Sequence, residues 1–260
     1  MANEDLTNTI EVSSAQDAIE FLRKVEWFNS SEETRKAYFN LISEDDFINY
    51  FRVPAPNNIA KSEEEGRINA EKFIEKSKML RWFLENKGYD FIYRVVKSND
   101  EDLIRECMRF IDFNAMENII YKNNNKLTLE ERIHILKLYF QFGRQNGINN
   151  LTLFFTPFPN TAETIGNTKK LEKLVEFINT KSELKNSEEY KNVLKASTEW
   201  KAKFAKYNTS ENEEVKIAKA KVLNACIDLS VLLAKYIVED PTAMVKDDPK
   251  HRTPLFFLWQ

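Results

Sequence analysis

"VKIAKAKVLNACIDLSVLLAKY" (215–236) decides the fold class. Its apolar residues Val215, Ala218, Val222, Ala225, Leu229, Leu232 and Tyr236 recur alternately three and four positions apart. A strand alternates every second residue, so this spacing makes one continuous stripe only on an α-helix. No Gly or Pro interrupts the run, and Asp240-Pro241 closes it. A seam of this kind packs inside a helical bundle, with a dimeric coiled coil as the lesser alternative.

The same periodicity extends through the chain, and the helix starts carry their own marks. A Ser or Thr with Glu or Asp three residues on satisfies two otherwise orphaned amides of a first turn. The pattern occurs at Ser14/Asp17, Ser30/Glu33, Ser43/Asp46, Ser62/Glu65, Ser98/Glu101, Thr128/Glu131 and Ser210/Glu213. Behind these starts the predicted core faces are Ala15, Ile19, Leu22 and Val25, then Ala37, Tyr38, Leu41 and Ile42, then Phe47, Ile48 and Phe51. "VPAPNN" (53–58) breaks the pattern, because two prolines fix φ and remove donors. A long helix follows through Ile68, Phe73, Leu80 and Leu84, with Gly88 as its C-terminal stop. Four helices are then expected over 89–146, with Phe91, Ile92 and Val95, next Leu103, Ile104, Cys107 and Phe110, next Met116, Ile119 and Ile120, and last Ile133, Leu136 and Phe140 facing inward. Beyond them Leu171, Leu174, Val175 and Ile178 form one face, and Tyr190, Val193, Leu194, Trp200, Phe204 and Tyr207 another.

These readings predict an all-α chain of about ten to twelve helices, packed as αα-hairpins and bundles in two lobes. "INNLTLFFTPFPNTAETIG" (148–166) is apolar, aromatic and broken by Pro157 and Pro159. It is read as a crossing segment between an N-terminal helical lobe (1–147) and a C-terminal helical lobe (167–239), with 240–260 as a linker plus an apolar tail.

Composition narrows the function classes. Hydrophobic content of 42% and charged content of 30% belong to a folded globular chain. Five glycines in 260 residues count against the parallel α/β folds and phosphate-cradling loops that use Gly at turns. Cys107 and Cys226 read as small buried hydrophobes in a reducing compartment. "MANEDLTNT" lacks the basic start and apolar core of a secretory signal, and no apolar run reaches the roughly 20 residues of a membrane span. The expected location is the cytoplasm, or a host's cytoplasm. Charge is uneven: 1–66 holds 14 acidic against 6 basic residues (−8), and 169–221 holds 13 basic against 9 acidic (+4).

Catalytic signatures are few. No Gly-x-x-x-x-Gly-Lys-Ser/Thr, Gly-x-Gly-x-x-Gly, His-Glu-x-x-His, Gly-x-Ser-x-Gly or paired Cys-x-x-Cys motif occurs. Glu131 and His134 stand one helical turn apart, the Glu-x-x-His unit of di-iron carboxylate bundles, but there is no second helical copy to complete a site. The expectation is a non-enzymatic protein with no catalytic residues, no metal, no cofactor and no small-molecule substrate.

Two stretches carry the functional reading. Lys169, Lys170, Lys173, Lys191, Lys195, Lys201, Lys203 and Lys206 interleave with Tyr190 and Trp200, as lysines that neutralise phosphates and rings that stack bases would. Glu residues interrupt the run and Arg is missing from it, so a solvated helix face is the plainer reading. At the other stretch, "HRTPLFFLWQ" (251–260), Leu255, Phe256, Phe257, Leu258 and Trp259 form a continuous apolar tip behind a proline-broken polar linker. Fully burying each such side chain is worth roughly 1.5–3 kcal/mol, so the tip is expected to dock. The destinations, in order of expectation, are the chain's own core, a neighbouring copy and a separate partner. The predicted function is therefore protein–protein interaction, as an adaptor or by self-association. A two-lobed helical layout with a terminal arm and a basic stretch resembles that of the nucleoproteins of segmented negative-strand RNA viruses. That likeness of layout implies RNA coating with oligomerisation through the arm as the alternative.

Overall fold

The structure is a computed structural model that describes residues 14–24, 31–56, 60–122, 126–143, 146–156 and 172–240. Among these there is no strand, and thirteen α-helices are present, eleven of them seven residues or longer, together with one π-helical turn. The chain is all-α. The described residues fall into two compact units, divided between Phe110 and Ile111. The division falls earlier than the 148–166 segment suggested by sequence. The helix Asn146–Phe155, which takes in the start of that segment, packs on other helices of the second unit and buries Ile148, Leu151 and Phe155. The rest of the segment, 157–166, lies outside the described residues.

The first unit holds α1 (Ala15–Lys24), α2 (Glu32–Leu41), α3 (Glu44–Arg52), α4 (Glu63–Lys87), α5 (Asp90–Lys97) and α6 (Glu101–Phe110). Local chemistry sets most of their ends. Ser43 accepts from the Asp46 amide at 3.1 Å, and the Asp46 carboxylate accepts from the Ser43 amide at 3.0 Å, closing a full capping box on α3. Ser14 and Ser62 cap α1 and α4 in the predicted way, each accepting the amide three residues on. Two starts differ from the pattern. Ser31 caps α2 by accepting from the Thr34 amide, while Ser30 lies outside the described residues. Asp100 accepts the Leu103 amide at the start of α6, because Ser98 is already spent on the Val95 carbonyl at the end of α5. Gly88 ends α4 with φ of 87°, a conformation that a side chain would strain.

The core of this unit is aromatic. Phe83 stacks on Phe47 with ring centroids 3.9 Å apart and meets Phe91 edge-on at 5.0 Å and Phe39 at 6.2 Å. α2 shows where sequence spacing was only partly right: Ile42 is buried and Tyr38 half-buried as expected, but Ala37 and Leu41 face solvent and Arg35 and Phe39 are buried in their place. The Phe39 ring offers more area than Ala37 and Leu41, and the Arg35 guanidinium covers the Trp82 ring at 5.9 Å, letting a charged residue hold an inward position.

The second unit holds α7 (Phe113–Glu117), a π-helical turn (Asn118–Lys122), α8 (Leu129–Phe142), α9 (Asn146–Phe155), α10 (172–180), α11 (Ser182–Lys185), α12 (Glu188–Tyr207) and α13 (Glu213–Glu239). α13 is its axis, contacted by α12, α8 and α9. The seam buries Val215, Ala218, Val222, Ala225 and Leu229 as expected. Leu232 and Tyr236 are only half-buried, and Cys226, Ser230, Leu233, Ala234 and Ile237 are buried instead. One heptad stripe serves one partner, and a helix packed on three sides needs a second stripe. Likewise α8 buries Ile135 and Tyr139 beside the predicted Leu136 and Phe140. α12 begins at Ser187, which accepts from the Tyr190 amide, and α13 at Asn212 rather than at the Ser210/Glu213 pair. α12 ends at Asn208 in the left-handed conformation, its amide bonded to the Phe204 carbonyl at 2.7 Å.

Phe83 touches three other rings and is fully buried. Phe83→Ala is expected to cost about 3–5 kcal/mol, read as a lower urea midpoint of the first unit's transition, whereas Ile74→Ala on the exposed side of α4 is expected to change it by less than about 0.5 kcal/mol.

Candidate functional site

The proline connector sets the chemistry of the first unit. α3 ends at Arg52, which leaves carbonyls of its last turn without helical partners, and Pro54 and Pro56 have no N–H to offer. The connector residue Ala55 is buried, so its amide needs a partner within the protein. α4 and α6 supply both kinds of group. The Lys76 ammonium donates to the Phe51 carbonyl at 3.2 Å, to the Val53 carbonyl, and to Glu106 Oε1 at 2.6 Å. Glu106 Oε1 also accepts from the Ala55 amide at 2.7 Å, and its Oε2 accepts from Arg109 at 2.7 Å. The Lys76 and Glu106 side chains are 7% and 5% exposed. Burial pulls the Lys76 ammonium below the usual lysine range, opposed by its bond to Glu106.

Above this floor lies a cleft of about 560 Å³ within the first unit. α1 supplies Ala15, Gln16, Ile19 and Arg23, and α3 supplies Asp46, Asn49 and Tyr50. Val53, Pro54, Ala55 and Pro56 form one wall, and Lys72, Glu75 and Lys76 of α4 face it. Its polar groups are largely engaged with one another. Glu75 Oε1 accepts from Arg23 at 2.8 Å and from the Tyr50 hydroxyl at 3.0 Å. Burial first, and Glu75 second, push the Tyr50 phenol well above its ordinary range, so it stays a neutral donor. Asp46 is committed to the α3 capping box. The cleft thus offers one apolar wall, the proline connector, among polar groups most of which are held by bonds within the protein. Sequence reasoning missed it; the signal available was the pair of prolines, which obliges other residues to satisfy the connector.

The lysine-rich stretch takes a different form from the one expected. Tyr190 and Trp200 are 5% and 1% exposed, and Trp200 stacks on Phe204 at 5.1 Å, so both rings fill the core and present no face to a base. At about 100° per residue, Lys191, Lys195 and Lys206 share one side of α12, opposite the buried stripe of Tyr190, Val193, Ser197 and Trp200. Glu188 and Glu199 lie on that same side, Glu188 bonded to Lys191 at 3.0 Å and Glu199 to Lys221 at 2.7 Å. Lys203 bonds Glu214, and Lys201 sits on the other flank. Lys173 is exposed on α10, while Lys169 and Lys170 lie outside the described residues. The tail residues Leu255, Phe256, Phe257, Leu258 and Trp259 also lie outside them.

Glu131 accepts from the Thr128 amide at 2.9 Å, completing the α8 capping box, and His134 is exposed one turn on. Among the described residues no group of three or more His, Cys, Asp or Glu side chains is placed to hold a metal ion, and no helix is long and apolar enough to cross a membrane. Both cysteines are buried; burial pushes the Cys226 thiol up to about 12, and Cys107 also upward. Compared with known proteins, the chain matches no family model, no curated sequence and no solved structure.

Two outcomes follow from this geometry. Glu106→Leu leaves the Lys76 charge buried without its carboxylate and is expected to cost about 3–5 kcal/mol, while Lys76→Met combined with Glu106→Leu recovers a large part of the loss. Thermal or urea unfolding of the three variants checks this, and a double variant no better than the single would refute it. Both thiols should also resist a disulfide reagent in the native protein at pH 8 and react once urea unfolds it, since the thiolate is the reactive form.

Proposed function

We propose that the protein is a non-enzymatic helical interaction protein, and that the cleft of its first unit receives an apolar, aromatic segment of a protein partner. The observation that carries this reading is the division of labour in the cleft. Of its ionisable groups Lys76, Glu75, Asp46 and Arg23 are held by bonds within the protein and Lys72 is exposed, while Val53, at 69% exposed, and the Pro54 ring stand open. Groups already committed to structural bonds are poorly placed to exchange protons with a substrate, whereas an open apolar wall gains by being covered. The volume lies within the roughly 300–1,000 Å³ of ligand clefts.

A second reading, coating of single-stranded RNA, is favoured by Lys191, Lys195 and Lys206 sharing an exposed side of α12. Such binding would be electrostatic and indifferent to sequence. It predicts affinity that falls steeply with salt, and a uniform loss on reversing Lys195 and Lys206 to Glu.

Selection from a displayed peptide library against the full chain tests the first reading. The enriched peptides are expected to carry closely spaced aromatic and aliphatic residues and to lose at least tenfold in affinity for Val53→Asp, whose exposed side chain can be changed without disturbing the core. Peptides indifferent to Val53→Asp, or a failure to enrich any, would count against the cleft as the docking surface.

A further inference from the structure

We infer that the occupant of the cleft is the apolar tip Leu255–Trp259 of a second copy of this chain, so that copies join head to tail. This rests on the interaction reading above and names its partner.

The cleft and the tip match in chemistry. The Tyr50 ring, Pro54, Pro56 and the exposed Val53 provide flat and branched apolar surface, against which Phe, Leu and Trp side chains pack. Arg23 and Lys72 add cations at the edge, suited to the face of an indole. Charge agrees as well. Lys250, His251 and Arg252 stand just ahead of the tip; the cleft lining itself is mixed, with Asp46 and Glu75 against Arg23, Lys72 and Lys76, and Glu44 and Asp45 of the α3 first turn are paired with Arg94, so the charge match lies in the chain as a whole. Residues 1–110 hold 22 acidic against 16 basic side chains (−6), and residues 111–260 hold 19 against 22 (+3). Oppositely charged parts on one molecule orient two copies tail to cleft rather than cleft to cleft.

The reach is sufficient. Residues 241–254 separate the end of the described chain from the tip. At about 3.3 Å per residue these residues can span at most about 45 Å. A contact between two different surfaces of like molecules is heterologous: it builds rings or open chains and does not stop at one pair unless the rotation closes.

Complementation between two full-length variants tests this. One carries Val53→Asp and keeps its tip; the other carries Phe257→Ser and Trp259→Ser and keeps its cleft. Light scattering across a concentration series is expected to show the wild-type chain growing in mass and each variant alone remaining a monomer. The two mixed are expected to give a one-to-one dimer, because one intact tip meets one intact cleft. A labelled peptide of residues 250–260 is expected to bind the tip variant and to lose at least tenfold in affinity when Val53→Asp is added. Unchanged circular dichroism and melting temperature show that the variants are folded. A wild-type monomer whose tip variant still binds the peptide would place the tip on its own chain and overturn the inference. So would a mixture that stays monomeric, or a peptide that does not bind. If library peptides still bind through Val53 in that last case, the interaction reading survives and only the named occupant falls.

Discussion

The Lys76 ammonium is buried with two carbonyls and one carboxylate, and the arrangement of the first unit depends on that set of bonds. The connector after α3 has to turn while carrying the backbone of the buried Ala55 inward. Its two prolines remove donors, so no local turn satisfies the rest. Lys76 from α4 and Glu106 from α6 close the gap, and Arg109 balances the second carboxylate oxygen. Such a cluster adds little net stability, since desolvating the charges offsets much of their attraction. Its contribution is to register: any slide of α4 along α3 would strand a charge. The cleft inherits its shape from this constraint, because its floor is the cluster and one of its walls is the connector.

The two units are held by different means. In the first, rings of α2, α3, α4, α5 and α6 meet at a fixed geometry, and the polar cluster lies at the edge of that aromatic core. In the second, aliphatic and small residues of α13 receive α8, α9 and α12, and polar bonds finish the ends. The Tyr121 hydroxyl, carried on the π-helical turn, donates to the Ile237 carbonyl at 2.6 Å and reaches the Asp240 carbonyl at 3.1 Å. Those carbonyls belong to the end of α13, where a helix has no partners of its own.

Helix identity was legible because it is local. Ser43/Asp46 and Thr128/Glu131 close capping boxes at the expected residues, and Gly88 stops α4. Helix facing was less legible because it is decided by neighbours. Arg35 points inward on account of Trp82, a residue 47 positions away (82 − 35). α13 turns a second stripe inward because three helices surround it. The cleft was illegible for the same reason: Lys76 and Glu106 are ordinary helix residues until the connector is folded between them. Tyr190 and Trp200 show the converse, since an aromatic stripe among lysines has the same spacing whether its rings meet bases or a core.

Ala55 has a consequence for how the chain can vary. It is nearly enclosed, with its amide on Glu106 and its carbonyl 3.4 Å from Arg109. Both bonds are made by its backbone, and they fix the connector at this point. Val53 contributes only its carbonyl to the cluster, and its side chain faces outward. Two positions of one short connector therefore obey opposite rules in the fold: position 55 is tied to the cluster by its backbone, and the side chain at position 53 lies outside the cluster. The surface presented at the cleft can be rewritten by single substitutions, with the scaffold beneath it left intact.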